Sequence, residues 1–492
     1  MMKALIVVDN PKRWPLELEG AELVSAREYL VSDKWADLRG LRVYNLCRSY
    51  AYQTLGYYVS LLAAARGHRA IPTVDTLQDL RLAPVVRMVS EQLQELIQRS
   101  LATIKANRFE LSVYFGGNLA ERHHALARAL YQQFSVPLLR AAFEREDGEW
   151  RLVAVRPIAS KEIPESHRDY VVAQAQSHFG RPVREGGKRR SYRYDLAILV
   201  KPDEEDSPSD DRAIKRFAKA ARDLDMEPHL IGLEDYGSIA EYDALFIRTT
   251  TQVDHPTYRM ARRAAAEGLV VIDDPVSILR CTNKVFQTEL FRRHNIPHPT
   301  TFVTGEADPD KVVEAVGLPC VLKQPDSAFS LGVTRAETKE ELETKLEELL
   351  EDSELVLAQG FVPSAFDWRI GILGGKPLYA CRYHMAKGHW QIVTTSEKGS
   401  RRYGKVESVR LEEVPAEAIE IATKATRPIG DGLYGVDLKQ IDDHFLVIEV
   451  NDNPNIDSDN EDGILGEELY VRVMQWFRER LDARGSGSPR NG

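Results

Sequence analysis

Apolar positions along the first 160 residues fall into two alternating rhythms. Short apolar runs (Ala4–Val8, Leu41–Leu46, Leu111–Phe115) read as buried strands, while Thr54–Arg66 and Leu119–Phe134 carry apolar residues at helical spacing. Leu138–Glu146 and Trp150–Pro157 flank Asp147-Gly148, a dipeptide suited to tight reversal, and predict a hairpin. Residues 1–180 therefore read as an α/β domain. Between Gly180 and Arg193 the periodicity stops, and Gly186-Gly187 with six basic residues predicts a solvated linker over 181–193. Leu196–Val200, a helix around Ala213–Leu224, Leu245–Ile247 and Leu269–Ile272 then repeat the strand–helix–strand rhythm, predicting a second, small parallel sheet over 194–280. From 281 to 483 the strands shorten and turns multiply, an α+β pattern. One strong helix is predicted there from Lys339 to about Leu350, with Thr338 as its cap, Glu341 three residues on, and Leu342, Leu346 and Leu349 on one face. The tail 484–492, rich in Gly, Ser, Pro and Arg, is expected to be disordered.

Composition narrows the chemistry. A chain of 492 residues, 43% hydrophobic and 28% charged, is a multidomain globular protein rather than a disordered one. Its formal net charge of -10 argues against nucleic acid as the main partner and favours small-molecule chemistry. Cys47, Cys281, Cys320 and Cys381 are too far apart for a metal knuckle or a dense disulfide framework, so a reducing cytoplasm is expected. No apolar run reaches the length of about 18 residues that a membrane span needs. The cluster Tyr50, Tyr52, Tyr57 and Tyr58 is expected to pack in a core rather than to form a ligand surface.

The most informative segment is Tyr434–Asn455, which reads as two strands joined by a turn at Asp442-Asp443. Asp437 lies on the first strand, while Glu449 and Asn451, two residues apart, share a face of the second. A carboxylate in so apolar a strand is costly unless a cation compensates it, and two carboxylates with an amide suit a hard divalent ion beside phosphate oxygens. The alternative is a pair of acids on the solvent side of a hairpin. Lys323 ends the apolar strand Leu318–Lys323 and precedes the small-residue loop 327–333, so it offers a point charge for a phosphate to which the loop, with Ser327, Ser330 and Gly332, could add backbone N–H donors; the alternative is a strand-end lysine reaching water. Lys284 opens a helix, and Leu355–Pro363 is a strand running into a Gly/Pro turn; taken singly, these are ordinary surface and strand-end features.

Together these elements resemble the ATP-grasp superfamily, and closely its RimK-like branch of glutamate and other amino-acid ligases, from about Asp195 to Arg480. The N-terminal region resembles the accessory domain found ahead of some RimK-like proteins. The resemblance implies a small pre-ATP-grasp sheet followed by an α+β ATP-grasp domain. It also implies ATP and Mg2+ as cofactors, with Mn2+ able to substitute. Lys284 and Lys323 would hold ATP phosphates, Gln359, Phe361 and Val362 would form the adenine hinge, and Asp437, Glu449 and Asn451 would hold the metal. Gly360 stands where the family hinge carries an acid, and Ser-Ala-Phe-Ser where it carries a Gly/Ser-rich loop. Arg369, in Asp367-Trp-Arg369, and Arg382 would be the catalytic arginines, or alternatively pair with Asp367 or Glu407 as structural salt bridges.

The implied reaction is attack of a carboxylate on the γ-phosphate, followed by capture of the acyl phosphate by an amine. Arg401, Arg402, His384, Lys387 and His389 add positive or ionisable groups after the arginine strand and point to an acidic amino acid or acidic peptide as substrate. A homo-oligomer is expected. The competing readings are a dipeptide or amide synthetase with a non-acidic acceptor, and a catalytically silent ATP-binding regulator.

Overall fold

The computed structural model describes residues 4–14, 16, 21–36, 38, 41–146, 148–179, 192–204, 206–326, 332–386, 390–395 and 401–485. Asp147, most of the linker, Ser327, Ser330, Lys387, His389 and the tail beyond 485 lie outside the described residues. The chain divides into two compact units. The first comprises Met1–Asp195, Glu234–Asp243 and Leu481–Gly492; the second comprises Leu196–Leu233 and Ala244–Arg480.

In the first unit, β1 (Ala4–Val8), β2 (Glu22–Ser25), β3 (Arg42–Asn45) and β4 (Arg69–Ile71) form a wholly parallel sheet in the order β2-β1-β3-β4. Leu5, Ile6 and Val7 are fully buried, as expected of a parallel strand covered on both faces. An antiparallel sheet follows, made of β5 (Arg108–Tyr114), β6 (Leu138–Glu146) and β7 (Glu149–Pro157), which contains the predicted hairpin. The helix expected from Leu119 begins instead at His124, because the Asn118 side chain accepts from the Ala120 N–H and a 3-10 turn takes Glu121–His123. The tyrosine cluster is not wholly core: Tyr52 is 65% exposed with its ring tilted against Tyr57, while half-buried Tyr50 donates to Asn45 O at 2.7 Å.

The second unit opens with β8 (Tyr194–Leu199), β9 (Met226–Ile231), β10 (Ala244–Ile247) and β11 (Val270–Ile272), in the order β11-β10-β8-β9. The predicted small sheet thus lies in one unit with the strands that follow it. Next, β12 (Thr301–Thr304), β13 (Cys320–Lys323), β14 (Val333–Ala336) and β15 (Val356–Gly360) form an antiparallel sheet ordered β12-β15-β13-β14. The helix Lys339–Asp352 packs Leu342 and Leu346 against it. The Thr338 half of its cap forms as the spacing implied, Thr338 Oγ1 accepting from the Glu341 N–H, while the Glu341 side chain accepts from the N–H of Glu337 rather than from that of Thr338.

The site is built on a five-stranded antiparallel sheet in which β16 (Phe366–Leu373), β17 (Lys376–His384) and β20 (Val406–Val409) join β21 (Leu433–Ile441) and β22 (His444–Asn451). A two-stranded ribbon, β18 (Val393–Thr395) with β19 (Arg401–Tyr403), stands apart from it. The sheet order is β20-β17-β16-β21-β22. One face carries Trp368, Ile370, Ile372, Ala380, Val436 and Leu438 and packs on Ala418, Ile421, Ala422 and Ala425 of the helix Ala416–Thr426. Alternation then sends Asp367, Arg369 and Asp437 to the other face.

On that other face, Gly371 sits opposite Tyr379 in the ladder, and a Cβ added there would overlap the tyrosine ring. Tyr379 is itself buried, so the ring has little room to yield. Gly371→Ala should therefore destabilise the second unit by about 1–3 kcal/mol through overpacking, read as a lowered denaturant midpoint with unchanged slope.

Candidate active site

Pairing register assembles the acidic group. Asp437 lies directly across from Glu449, and Gly435 across from Asn451, so all three predicted ligands share one end of the β21–β22 ladder. Asn451 Nδ2 donates to Asp437 Oδ2 at 3.1 Å. The register slips just beyond, where Leu438 pairs with Val447 and Ile448 becomes an unpaired extra residue. Such a bulge re-aims side chains, and Ile448 lines the same cleft as Lys284 and Lys323.

That cleft lies between the two antiparallel sheets and the helix Lys284–Arg293, and Gln287, Thr288, Leu357 and Gln359 also line it. Asn283 caps the helix by accepting from the Phe286 N–H, and the Lys284 N–H donates to Pro325 O at 2.8 Å. Buried Gln287 fastens the helix to the ligand strand, donating to Val450 O at 2.9 Å and accepting from Val450 N at 2.8 Å. Lys284 is thereby held against Glu449. Lys323, the last residue of β13, donates to Gln359 Oε1 at 2.8 Å, and Gln359 donates to Thr301 Oγ1 at 3.1 Å. Gly332 accepts from the Gln324 N–H at 3.2 Å with φ +64. Phe361 and Val362 follow β15, with the Phe361 ring 3.9 Å beneath the Arg335 guanidinium.

The charges are mutually supporting. Burial opposes ionisation of Glu449, but Lys284, Lys323 and Arg369 outweigh it and hold the carboxyl below its ordinary range. Burial pulls Lys323 down to about 8 despite the attraction of Glu449. Burial likewise pushes Asp437 up to about 6, against the charge and hydrogen bonds of Arg369. Two carboxylates and an amide oxygen gathered at one ladder end form a hard-oxygen donor set, which fits a divalent cation.

The two arginines part company. Arg369, 9% exposed, pairs with both oxygens of Asp437, Nη2 to Oδ2 at 2.8 Å and Nε to Oδ1. Arg382 stands opposite Trp368 in the ladder and hence on the helix-covered face, over the Trp368 ring at 4.9 Å and 3.8 Å from Glu407. The structure does not bring Arg382 to the carboxylates. Residues spaced by an odd number along paired strands face opposite ways, and Arg369 pairs in register with Cys381. The nearby His384 joins the same Glu407 at 3.0 Å, and Arg401 and Arg402 lie on β19.

Sequence reading missed Lys439. It follows Asp437 by two positions on the same face and donates to Asp367 at 2.6 Å and Ser364 at 2.7 Å. The pleat could have found it. Also missed was fully buried Arg248 at the end of β10, which donates to Asn453 Oδ1 at 2.8 Å and Pro454 O at 2.9 Å, clamping the chain just past the ligand strand. Nothing local in its sequence marks it, since these two acceptors lie 205 and 206 residues away.

Comparison with known proteins gives two family matches. Residues 26–174 match the RimK-like ATPgrasp N-terminal domain, and residues 281–473 match the RimK-like ATP-grasp domain. A probable alpha-L-glutamate ligase of Psychromonas ingrahamii is 26% identical over 253 residues, 51% of this chain and 80% of that protein. One from Thioalkalivibrio sulfidiphilus is 27% identical over 255 residues, 50% of this chain and 81% of that protein. The chain spans about half of a third, from Parasynechococcus marenigrum, at 28% identity over 232 residues, 45% of this chain and 48% of that protein. Among solved structures, a RimK domain ATP-grasp protein of Sphaerobacter thermophilus aligns over 57% of this chain and 99% of its own, at 15% identity and TM-score 0.44.

The Arg369–Asp437 pair makes a stability prediction. Arg369→Met leaves a buried carboxylate unpaired and should cost about 3–5 kcal/mol near neutral pH. Asp437 already sits above the ordinary aspartate range when folded, so protonation relieves the loss. Loss of Arg369 raises the folded Asp437 pKa further, so the deficit measured by denaturant unfolding should shrink as pH falls from above neutral toward about 6 and level off below it.

Proposed function

The chain belongs to the RimK-like ATP-grasp family, and from that premise we propose that it is an ATP-dependent carboxylate–amine ligase that joins an acidic amino acid, glutamate foremost, to a carboxylate acceptor. The family binds ATP with a divalent metal; Mg2+ is the proposed ion, with Mn2+ as its substitute. The observation that carries the reading is the ladder end that gathers Asp437, Glu449 and Asn451, with the charges of the cleft lysines Lys284 and Lys323 acting on Glu449. The glutamate preference draws on the probable alpha-L-glutamate ligases to which the chain is similar. Among the described residues no helix is long and apolar enough to cross a membrane, and a cytoplasmic setting is part of the proposal.

The roles follow from the chemistry. Asp437, Glu449 and Asn451 hold the ion, which when bound neutralises charge on the phosphates during phosphoryl transfer. Lys284 and Lys323 bind phosphate oxygens from the opposite wall of the cleft. Gln359, Phe361 and Val362 form the base-binding hinge, and Gly332, with Ser327 and Ser330, the loop over the phosphates. Arg369 has the planar fork suited to the acyl carboxylate and to the oxyanion formed on amine attack. Arg382, on the other face, supports packing over Trp368 instead.

ADP release measured with the twenty amino acids singly and in pairs, with mass spectrometry of the products, tests the reaction. An ATP-dependent amide containing an acidic residue is expected, and its absence from every pair rejects the ligase reading. Glu449→Gln should abolish turnover with little change in fold, because it removes an ion ligand without changing side-chain volume. Arg369→Ala should lower amide formation by about 100-fold or more, the scale of a lost oxyanion donor, while Arg382→Ala loses far less.

Lys323 also sets a pH dependence. Its charge is present below its pKa of about 8 and lost above it. ATP affinity measured by calorimetry should therefore fall from about pH 7 to about pH 9, where an ordinary lysine would stay charged, and Lys323→Met should flatten that fall.

A further inference from the structure

Arg369 and the ion compete for the same carboxylate. Of roughly four lone-pair positions on a carboxylate, three on Asp437 are taken, two by the Arg369 fork and one by Asn451. The guanidinium reaches Asp437 through a slot kept open by Gly435, where a Cβ would come within 3.0 Å of Arg369 Cδ and 2.8 Å of Pro454 Cβ. Its other contact on this face is the Tyr383 ring, 4.9 Å from the guanidinium carbon. Asp367 does not need Arg369, because Lys439 and Ser364 already hold it. Glu449 has Lys284 and Lys323 beside it. Among these carboxylates Arg369 thus hydrogen-bonds only to Asp437, lending Glu449 charge without a hydrogen bond, with an aromatic face next to it as an alternative resting place.

We infer that Arg369 is a place-holding cation: in the metal-free protein it neutralises Asp437, and it yields that carboxylate when the ion loads, turning its fork from Asp437 to the acyl substrate. This rests on the assignment of Asp437, Glu449 and Asn451 as ion ligands. A guanidinium bonded to both oxygens of a buried carboxylate repels a dication brought to the same group, and low dielectric strengthens that repulsion. By linkage, whatever loosens Arg369 tightens ion binding, and a loaded ion loosens Arg369 by the same factor. The acyl carboxylate, an anion that needs a free arginine, therefore meets a receptive Arg369 only once the site is loaded. Order of binding is built into one ion pair.

The test titrates the full chain with Mn2+ alone, without nucleotide, reading free Mn2+ by electron paramagnetic resonance. Arg369→Met should bind Mn2+ about tenfold tighter than the parent, within the usual range of site coupling, and Arg369→Lys, which keeps a charge but cannot take both oxygens, about threefold tighter. Thermal unfolding checks each variant, and Arg369→Lys alone decides the matter if Arg369→Met does not fold. Glu449→Gln separates the two levels of the argument. If it loses Mn2+ binding while Arg369→Lys binds no tighter than the parent, the place-holding role is overturned and the ligand set stands. If Glu449→Gln binds Mn2+ as the parent does, or no Arg369 variant binds it, the ligand assignment fails and the inference falls with it.

Discussion

Three carboxylates on one face of the five-stranded sheet meet four cations, Arg369 and Lys439 from the same sheet and Lys284 and Lys323 from the neighbouring helix and β13, and the surrounding structure depends on keeping them matched. Asp367 is held by Lys439, Asp437 by Arg369, and Glu449 by Lys284 and Lys323. An isolated charge at such depth would lose its ionisation or unfold its surroundings. The tethers that set the geometry are uncharged at their acceptor ends. Gln287 grips the Val450 backbone, and Arg248 spends its donors on Asn453, Pro454, Pro208 and Ser209 rather than on a carboxylate. With no carboxylate bonded to it, burial draws Arg248 down to about 10. Neutral tethers leave the ion pairs free to exchange partners, which a second layer of direct salt bridges would resist.

The pleat divides the sheet's chemistry from its packing. Arg369 and Arg382 are both arginines on adjacent strands of a plausible catalytic segment, yet they face opposite ways. On the helix side Arg382 covers aromatic surface and meets Glu407, a partly exposed pair worth little to stability beyond the packing of its stem. On the cleft side Arg369 is buried against Asp437, where its fork takes both oxygens of the proposed ion ligand. Residue type alone could not separate them.

Much of this was legible from local pattern. The two-residue spacing of Glu449 and Asn451, the turn at Asp442 with φ 51, and the capped helix at Thr338 are short-range features that the backbone must express wherever it folds. The relation of Asp437 to Glu449 was visible as a hairpin. The bulge at Ile448 was not, because a one-residue slip depends on packing across the sheet. Register between β16 and β17 was equally hidden, and with it the face of Arg382. Arg248 and Gln287 were out of reach for a related reason: their partners, Asn453, Pro454, Pro208 and Ser209 for Arg248 and the Val450 backbone for Gln287, are distant in sequence and meet them only once the chain is folded.

Net charge gives a final reason for the cleft to be built this way. The chain carries -10 overall, which would repel a polyanionic nucleotide, yet the site face has one more cation than carboxylate: Lys284, Lys323, Arg369 and Lys439 against Asp367, Asp437 and Glu449. Interactions between exposed charges fade beyond about 8 Å at physiological salt, so the distant acidic surface is screened, whereas the partly buried lysines of the cleft act at close range with little screening. The excess cation need not be large. Were it larger, the proposed ligand set would bind an ion poorly. Were it smaller, Glu449 would rise toward protonation, and the site would lose the carboxylate that faces Asp437 across the ladder.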